Sequence, residues 1–240
     1  MTRMNLLRRR YLQQSLALAA GPGLVATSPH VVLLGDSIFD NGAYTGGKPD
    51  VIAHCRRVLP PGWKATLLAR DGAVIESVAL QLSKLPPDST HLVLSVGGNN
   101  ALQRQGLLQA RAGSVGEGIL QLAEAVGRFE SAYRKVVDAC LARGLPLVVC
   151  TIYNGNFDDA RYRRLTRSAL ALFNDAILRT AVENKLKAIE LRLVCARSED
   201  YANPIEPSTI GAAKIAQAIA GVVTRAGQGQ GACVVGAARA

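Results

Sequence analysis

Histidine is scarce in this chain of 240 residues: there are three, at positions 30, 54 and 91. Cysteine occurs five times, at 55, 140, 150, 195 and 233, with no C-x-x-C pair and no histidine at ligand spacing. An odd count without metal spacing argues against both a zinc site and a disulfide framework, so no metal and no cofactor are expected. Aromatic residues make up 5% of the chain against 49% apolar residues in all, which fits an Ala/Leu/Val-rich α/β protein better than a β-sandwich. No apolar run is long enough to cross a bilayer as a plain helix, and stable membrane insertion is not expected. No acidic residue precedes Asp36, while Arg3, Arg8, Arg9 and Arg10 crowd the first ten positions and supply much of the net charge of +10. Without them 24 basic residues stand against 18 acidic, or +6. Those that remain are scattered; Arg161-Tyr162-Arg163-Arg164 reads as a solvated helix face, and no nucleic-acid partner is expected. There is no G-x-S-x-G elbow, which excludes an ordinary α/β-hydrolase. Gly42 to Lys48 has most of the P-loop spacing, but Pro49 stands where a Ser/Thr would hold Mg²⁺, and the preceding apolar run ends too early. Nucleotide binding is the weakest functional option.

What the chain does have is a short run from His30 to Asn41 in which Val31-Val32-Leu33-Leu34 leads straight into Gly35-Asp36-Ser37. An unbroken apolar run of this length reads as a parallel strand buried on both faces. A serine just past its carboxyl end lies where open α/β sheets place their ligands. Glycine permits a sharp turn there, and an Asp side chain can hold it.

Strand and helix patterns alternate along the rest of the chain. Pro49 fits a first helical position before a helix over 50–59. Further strands are expected over 63–69, 90–96, 145–151 and 186–193, with helices over 74–82, about 115–143, 160–184 and 207–223. Ser114 and Glu117 have capping-box spacing at the start of the longest helix. The pattern predicts a three-layer α/β domain over 30–225 with a five-stranded parallel sheet. Residues 1–29 run from basic through apolar to small, like a twin-arginine export signal or a non-native leader. Export and a cytoplasmic location remain the two alternatives. The Gly/Ala/Gln-rich stretch 226–240 offers little to pack and is expected to be disordered.

Three strand ends fall on one sheet edge: Gly35-Asp36-Ser37, the turn at Gly72, and Gly97-Gly98-Asn99. A serine hydroxyl there could attack a carbonyl, with the Ser37 and Gly72 N–H groups and the Asn99 amide receiving the oxyanion. At this point the chain resembles the SGNH (GDSL-type) hydrolases, esterases and lipases of flavodoxin-like fold, over about 30–225. Gly35-Asp36-Ser37-Ile38 is similar to the family's nucleophile block, Gly72 to its second-block glycine, and Gly97-Gly98-Asn99-Asn100 to its G-x-N-D block. The resemblance implies Ser37 as nucleophile, Ser37, Gly72 and Asn99 as oxyanion hole, and a small-molecule ester as substrate. It leaves the oligomeric state open.

The last block departs from the family's D-x-x-H-P. In Asn203-Pro204-Ile205-Glu206-Pro207 the Asp position holds Asn203 and the His position Glu206, while Gly211 keeps its spacing. The run resembles that of a bacterial subgroup with the same Asn-Pro-Ile-Glu-Pro-Ser. His30 and His91 open strands at the opposite edge and His54 lies inside a helix, so Glu206 is the base these blocks offer. At the start of a helix Glu206 is favoured in its charged form, and it can serve as the base or merely cap the helix. Two functions follow: an esterase with an unorthodox base, or a binding protein for an acyl or sugar ligand that has lost its catalytic histidine.

Overall fold

A computed structural model describes residues 28–225 and 233–236. The leader expected over 1–29 therefore lies outside the described residues, apart from Ser28 and Pro29. Six strands, β1 (His30–Gly35), β2 (Lys64–Leu67), β3 (His91–Ser95), β4 (Leu147–Cys150), β5 (Lys187–Ile189) and β6 (Cys233–Val235), form one parallel sheet in the order β2-β1-β3-β4-β5-β6. The helices are α1 (Val51–Val58), α2 (Val78–Leu82), α3 (Gly98–Leu102), α4 (Val115–Leu141), α5 (Ala160–Glu183), α6 (Leu191–Val194) and α7 (Thr209–Val223).

The unbroken apolar run of β1 serves two cores. Val31 and Leu33 point to one face, against α1, α6 and α7; Val32 and Leu34 point to the other, against α2, α4 and α5. All four are fully buried, as expected for a central strand covered on both sides. The thiols at 55, 140, 150 and 195 are buried in these cores, and burial pushes their pKa up, which keeps them inert packing residues.

The expected strand count of five is corrected to six. The added strand comes from the 226–240 stretch, where Cys233–Val235 pairs with β5 and the Val235 carbonyl accepts from the Glu190 N–H at 2.8 Å. A short β-branched run finds the open edge of β5, which the Gly/Ala/Gln composition around it obscures. β5 is itself shorter than predicted, because the Glu190 side chain accepts from the Arg192 N–H and caps α6. Pro49 is not the first helical residue of α1. Asp50 is the N-cap, accepting from the Ala53 N–H at 2.9 Å. At α4, Ser114 accepts from the Glu117 N–H, while the Glu117 carboxylate takes the Gly113 N–H instead of closing the box on Ser114.

β1 ends where it does because of Gly35. Its φ is +129°, and a Cβ there would lie 1.7 Å from the Ser95 carbonyl oxygen of β3. Only glycine lets the chain leave the sheet this close to its neighbour. Gln81, buried on α2, clamps the same residue by accepting from the Gly35 N–H and donating to its carbonyl, both at 2.8 Å. That clamp fixes where the next two residues, Asp36 and Ser37, emerge.

Candidate active site

Past Gly35 the chain turns back on itself. The Phe39 and Asp40 N–H groups donate to the Asp36 carbonyl, each at 3.1 Å, and the Asp36 carboxylate accepts from the Ile38 N–H at 3.1 Å. This local turn buries Asp36 and Ser37 at the carboxyl edge of the sheet. The Ser37 hydroxyl donates to Glu206 Oε1 at 3.0 Å, joining the first and last blocks of the chain.

Glu206 is not the helix cap. Ser208 caps α7, its hydroxyl accepting from the Ile210 and Gly211 N–H groups at 3.1 and 3.3 Å. Pro207 forms an antiparallel bridge with Tyr201, and the Ala202 N–H donates to the Glu206 carbonyl, so residue 206 stays in the loop ahead of the helix. Its side chain turns inward to Ser37. Further bonds brace the loop. The Tyr153 hydroxyl donates to the Ile205 carbonyl at 2.5 Å, the Asn156 N–H to the Pro204 carbonyl at 2.8 Å, and the Asn41 amide to the Pro207 carbonyl at 3.0 Å. Asn203 accepts from the Ile205 and Glu206 N–H groups at 2.9 and 3.0 Å. Asn203 thus holds the backbone of the Glu206 turn rather than orienting the Glu206 side chain.

The electrostatics of the Glu206 carboxyl differ from those of a solvated glutamate. Burial raises its pKa, the Ser37 hydrogen bond opposes that rise, and the Asp71 charge adds to it; the result is about 7. Glu206 is 6% exposed, and its second oxygen, Oε2, is buried without a hydrogen-bond partner. Asp36 is also pushed up to about 7, chiefly by burial, with the Ile38 N–H opposing and the Glu206 charge adding to the rise. Two carboxyls of like tendency therefore flank the serine.

Asn99, in the first turn of α3, donates its amide to the Ala73 carbonyl at 2.9 Å. One amide hydrogen is spent there, which leaves the other unassigned, and Asn99 lines the same cavity as Ser37. Asn100, at the position of the family's third-block Asp, accepts from the Ile75 N–H at 3.0 Å and so stitches α3 to the loop after β2. Gly72 sits in that loop with φ +73°. The loop is tied to the serine turn, since the Asp71 N–H donates to the Asp40 carboxylate at 3.0 Å. Ser37, Asn99 and Glu206 line one cavity of about 840 Å³, counted to its open mouth. Gly72 lines a second depression, with Arg70, Asp71 and Ala73.

The three histidines stay away from this cavity. His30 is enclosed between Asp88 and Thr66 at the amino end of β1, His91 lies against Trp63, and His54 is 3.2 Å from the Thr209 hydroxyl. The Gly42–Lys48 loop closes on itself, the Thr45 hydroxyl lying within hydrogen-bond reach of the Gly42 and Lys48 carbonyls. Sequence reasoning missed Asn41, Gln81 and Tyr153. Asn41 is fully buried, and besides donating to Pro207 it accepts from the Val51 N–H at 3.0 Å. Each acts on backbone distant in sequence, and no local pattern marks them.

The profile of the GDSL-like lipase/acylhydrolase family matches residues 33–214. No curated protein matches the chain at a significant level. Among solved structures, an extracellular lipase from Streptomyces rimosus superposes with a TM-score of 0.62 at 16% identity, covering 82% of this chain and 100% of that one. Phospholipase A1 from Streptomyces albidoflavus NA297 gives 0.60 at 16% identity, covering 81% and 99%. An acetyl xylan esterase gives 0.60 at 19% identity, again covering 81% and 99%. At these identities the likeness is one of fold.

Proposed function

Since the chain belongs to the GDSL-like lipase/acylhydrolase family, we propose that it hydrolyses carboxylic esters through an acyl-serine intermediate on Ser37, with Glu206 as general base. The observation that carries this reading is the 3.0 Å hydrogen bond from the Ser37 hydroxyl to Glu206 Oε1 in a buried site. The Glu206 carboxylate takes the hydroxyl proton as the Ser37 oxygen bonds to the ester carbonyl carbon. The oxyanion that forms accepts from the Ser37 and Gly72 N–H groups and the Asn99 amide. As the intermediate collapses, the carbon–oxygen bond to the alcohol breaks and protonated Glu206 returns the proton to the departing oxygen. Water then attacks the acyl-serine with Glu206 again as base, and the carboxylic acid leaves.

A glutamate near its reference pKa of about 4.3 is a poor proton acceptor beside an imidazole at about 6.5. Raised to about 7, Glu206 lies where a base is effective at neutral pH. Gly72 is the donor assigned here by its strand-end position alone, on the loop that the Asp71 N–H ties to Asp40 in the serine turn.

The test is hydrolysis of a p-nitrophenyl ester by wild type, Ser37→Ala and Glu206→Gln. Ser37→Ala should abolish turnover, and Glu206→Gln should lower it by about 10²–10⁴. A wild type no faster than Ser37→Ala would leave a ligand-binding protein in place of the enzyme. Full activity in Glu206→Gln would retain the enzyme and remove the base.

A further inference from the structure

Family membership leaves open how long an acyl group the site accepts. Resting on the Ser37 reading above, the geometry points to a substrate whose acyl part is an aliphatic chain of about eight carbons or more, lodged in the cavity that runs from Ser37 between α4 and α5.

Away from the serine, the walls of this cavity are hydrocarbon. Leu102, Leu107 and Leu108 come from the segment before α4, Leu122 from α4, and Leu170 and Phe173 from α5. The polar side chains deeper in the cavity are already bonded within the protein. The Thr166 hydroxyl donates to the Arg163 carbonyl, that of Tyr153 to Ile205, and that of Tyr162 to Gln105. Arg104 and Gln105, the other polar residues on that side, are exposed at the rim. A sugar would need several free donors and acceptors to replace its water, and on this side only Arg104 and Gln105, at the exposed rim, have any to offer. An acetyl group would reach only the Ser37 end and leave the leucines uncovered. An alkyl chain covers them.

The cavity is open to solvent at one end and lined on its long walls by side chains of α4, α5 and the segment before α4. The apolar stripe of α4 also continues outward. By helical spacing Val115 and Ile119 lie on the same face as Leu122 and Val126, and they are 82% and 59% exposed. A chain longer than the cavity therefore emerges along apolar surface. The two walls are fixed to each other, since Glu130 of α4 accepts from Arg179 of α5 through both carboxylate oxygens at 2.8 Å.

Each methylene that leaves water for this wall should raise kcat/KM by about fourfold, the equivalent of ~0.8 kcal/mol. The experiment measures kcat/KM on p-nitrophenyl acetate, butyrate and octanoate, each below its micelle threshold, for wild type and Ala169→Trp, which places bulk on the α5 wall. In parallel, decanoate and acetate are titrated calorimetrically into Ser37→Ala. The expected results are an octanoate-to-acetate ratio of about a hundredfold or more, a ratio at least tenfold lower in Ala169→Trp, and binding of decanoate but not acetate. Ser37-dependent turnover that is as good on acetate as on octanoate would overturn the chain inference and leave the esterase intact. Absence of turnover with tight decanoate binding would do the reverse, supporting the pocket and removing the catalytic reading. A Ser37→Ala protein that binds neither acid, with no chain preference in the wild type, removes the pocket.

Discussion

Raising the pH from 5 to 8 should move activity and stability in opposite directions through one carboxyl. Glu206 is held at about 7, mainly by burial, against 4.5 for the free side chain. Only its ionised form can take the Ser37 proton, so kcat/KM on a p-nitrophenyl ester should rise about tenfold per pH unit up to about 7 and then level off. At pH 5 it should stand at about one-hundredth of the plateau. Stability runs the other way. Between about 4.5 and 7 the folded chain keeps a proton on Glu206 that the unfolded chain has lost, so unfolding free energy falls as pH rises through that window. The full swing is about 3 kcal/mol, most of which falls between pH 5 and 8. The buried Asp36 carboxyl, also at about 7, contributes with the same sign. Glu206→Gln removes the Glu206 titration and keeps an acceptor for Ser37. Denaturant unfolding of both proteins at pH 5 and pH 8 should therefore show the variant gaining about 2–3 kcal/mol on the wild type between the two. Ester hydrolysis, read at a wavelength where p-nitrophenol and its anion absorb equally, supplies the rate profile. A flat profile from pH 5 to 8, with stability curves that run parallel, would refute the raised carboxyl and the general-base reading with it.

Other perturbations separate the parts of the site. Asn99→Ala should lower kcat by about 10²–10³ with little change in KM, as expected for a donor used mainly in the transition state, and steady-state kinetics checks it. Asn41→Ala orphans the Val51 N–H and the Pro207 carbonyl in a fully buried setting. It should cost about 2–3 kcal/mol in denaturant unfolding and slow turnover by loosening the Glu206 loop, whereas an unchanged midpoint would contradict its bracing role. Asn203→Asp keeps the acceptor for the Ile205 and Glu206 N–H groups but adds a like charge beside Glu206. The acid limb of the rate profile should move to higher pH, by a modest amount because residue 203 is exposed.

Much of the fold was legible because its signals are local. The run Val31–Leu34 into Gly35 specifies a doubly buried strand and its stop, and Ser114 marks a helix start by capping chemistry that works within three residues. Ser37 and Asn99 could be paired from sequence because parallel strands deliver their carboxyl ends to one edge. Long-range or competing local effects account for what sequence left open or concealed. Glu206 and Ser208 are both capable of capping α7, and the bridge between Tyr201 and Pro207 decides between them. Cys233–Val235 becomes a strand only because the edge of β5 is there to receive it. Gln81 and Asn41 satisfy backbone groups 46 and 166 residues distant along the chain, which no window of sequence contains.

Replacing a histidine by a glutamate changes the charge history of the reaction, and the surroundings of Glu206 are consistent with that change. A neutral imidazole becomes a cation when it takes the serine proton, and that cation offsets the nearby oxyanion. In the proposed reaction Glu206 starts as an anion and becomes neutral, so the site would carry one negative charge throughout, moving from Glu206 to the oxyanion. Burial then acts in favour of the reaction, because it destabilises the starting charge on Glu206 that proton transfer removes. An aspartate at 203 would add a second charge that a glutamate, having no ring N–H to donate, cannot use. Asn203 retains the turn-forming oxygen without the charge. Asp36, with its own pKa raised by burial and by the charge on Glu206, favours a single anion shared by the pair. Because the proposed reaction forms no cation, its oxyanion would depend on neutral donors alone, and Asn99→Ala should cost more here than it would beside an imidazolium, as kcat measured on a p-nitrophenyl ester would show.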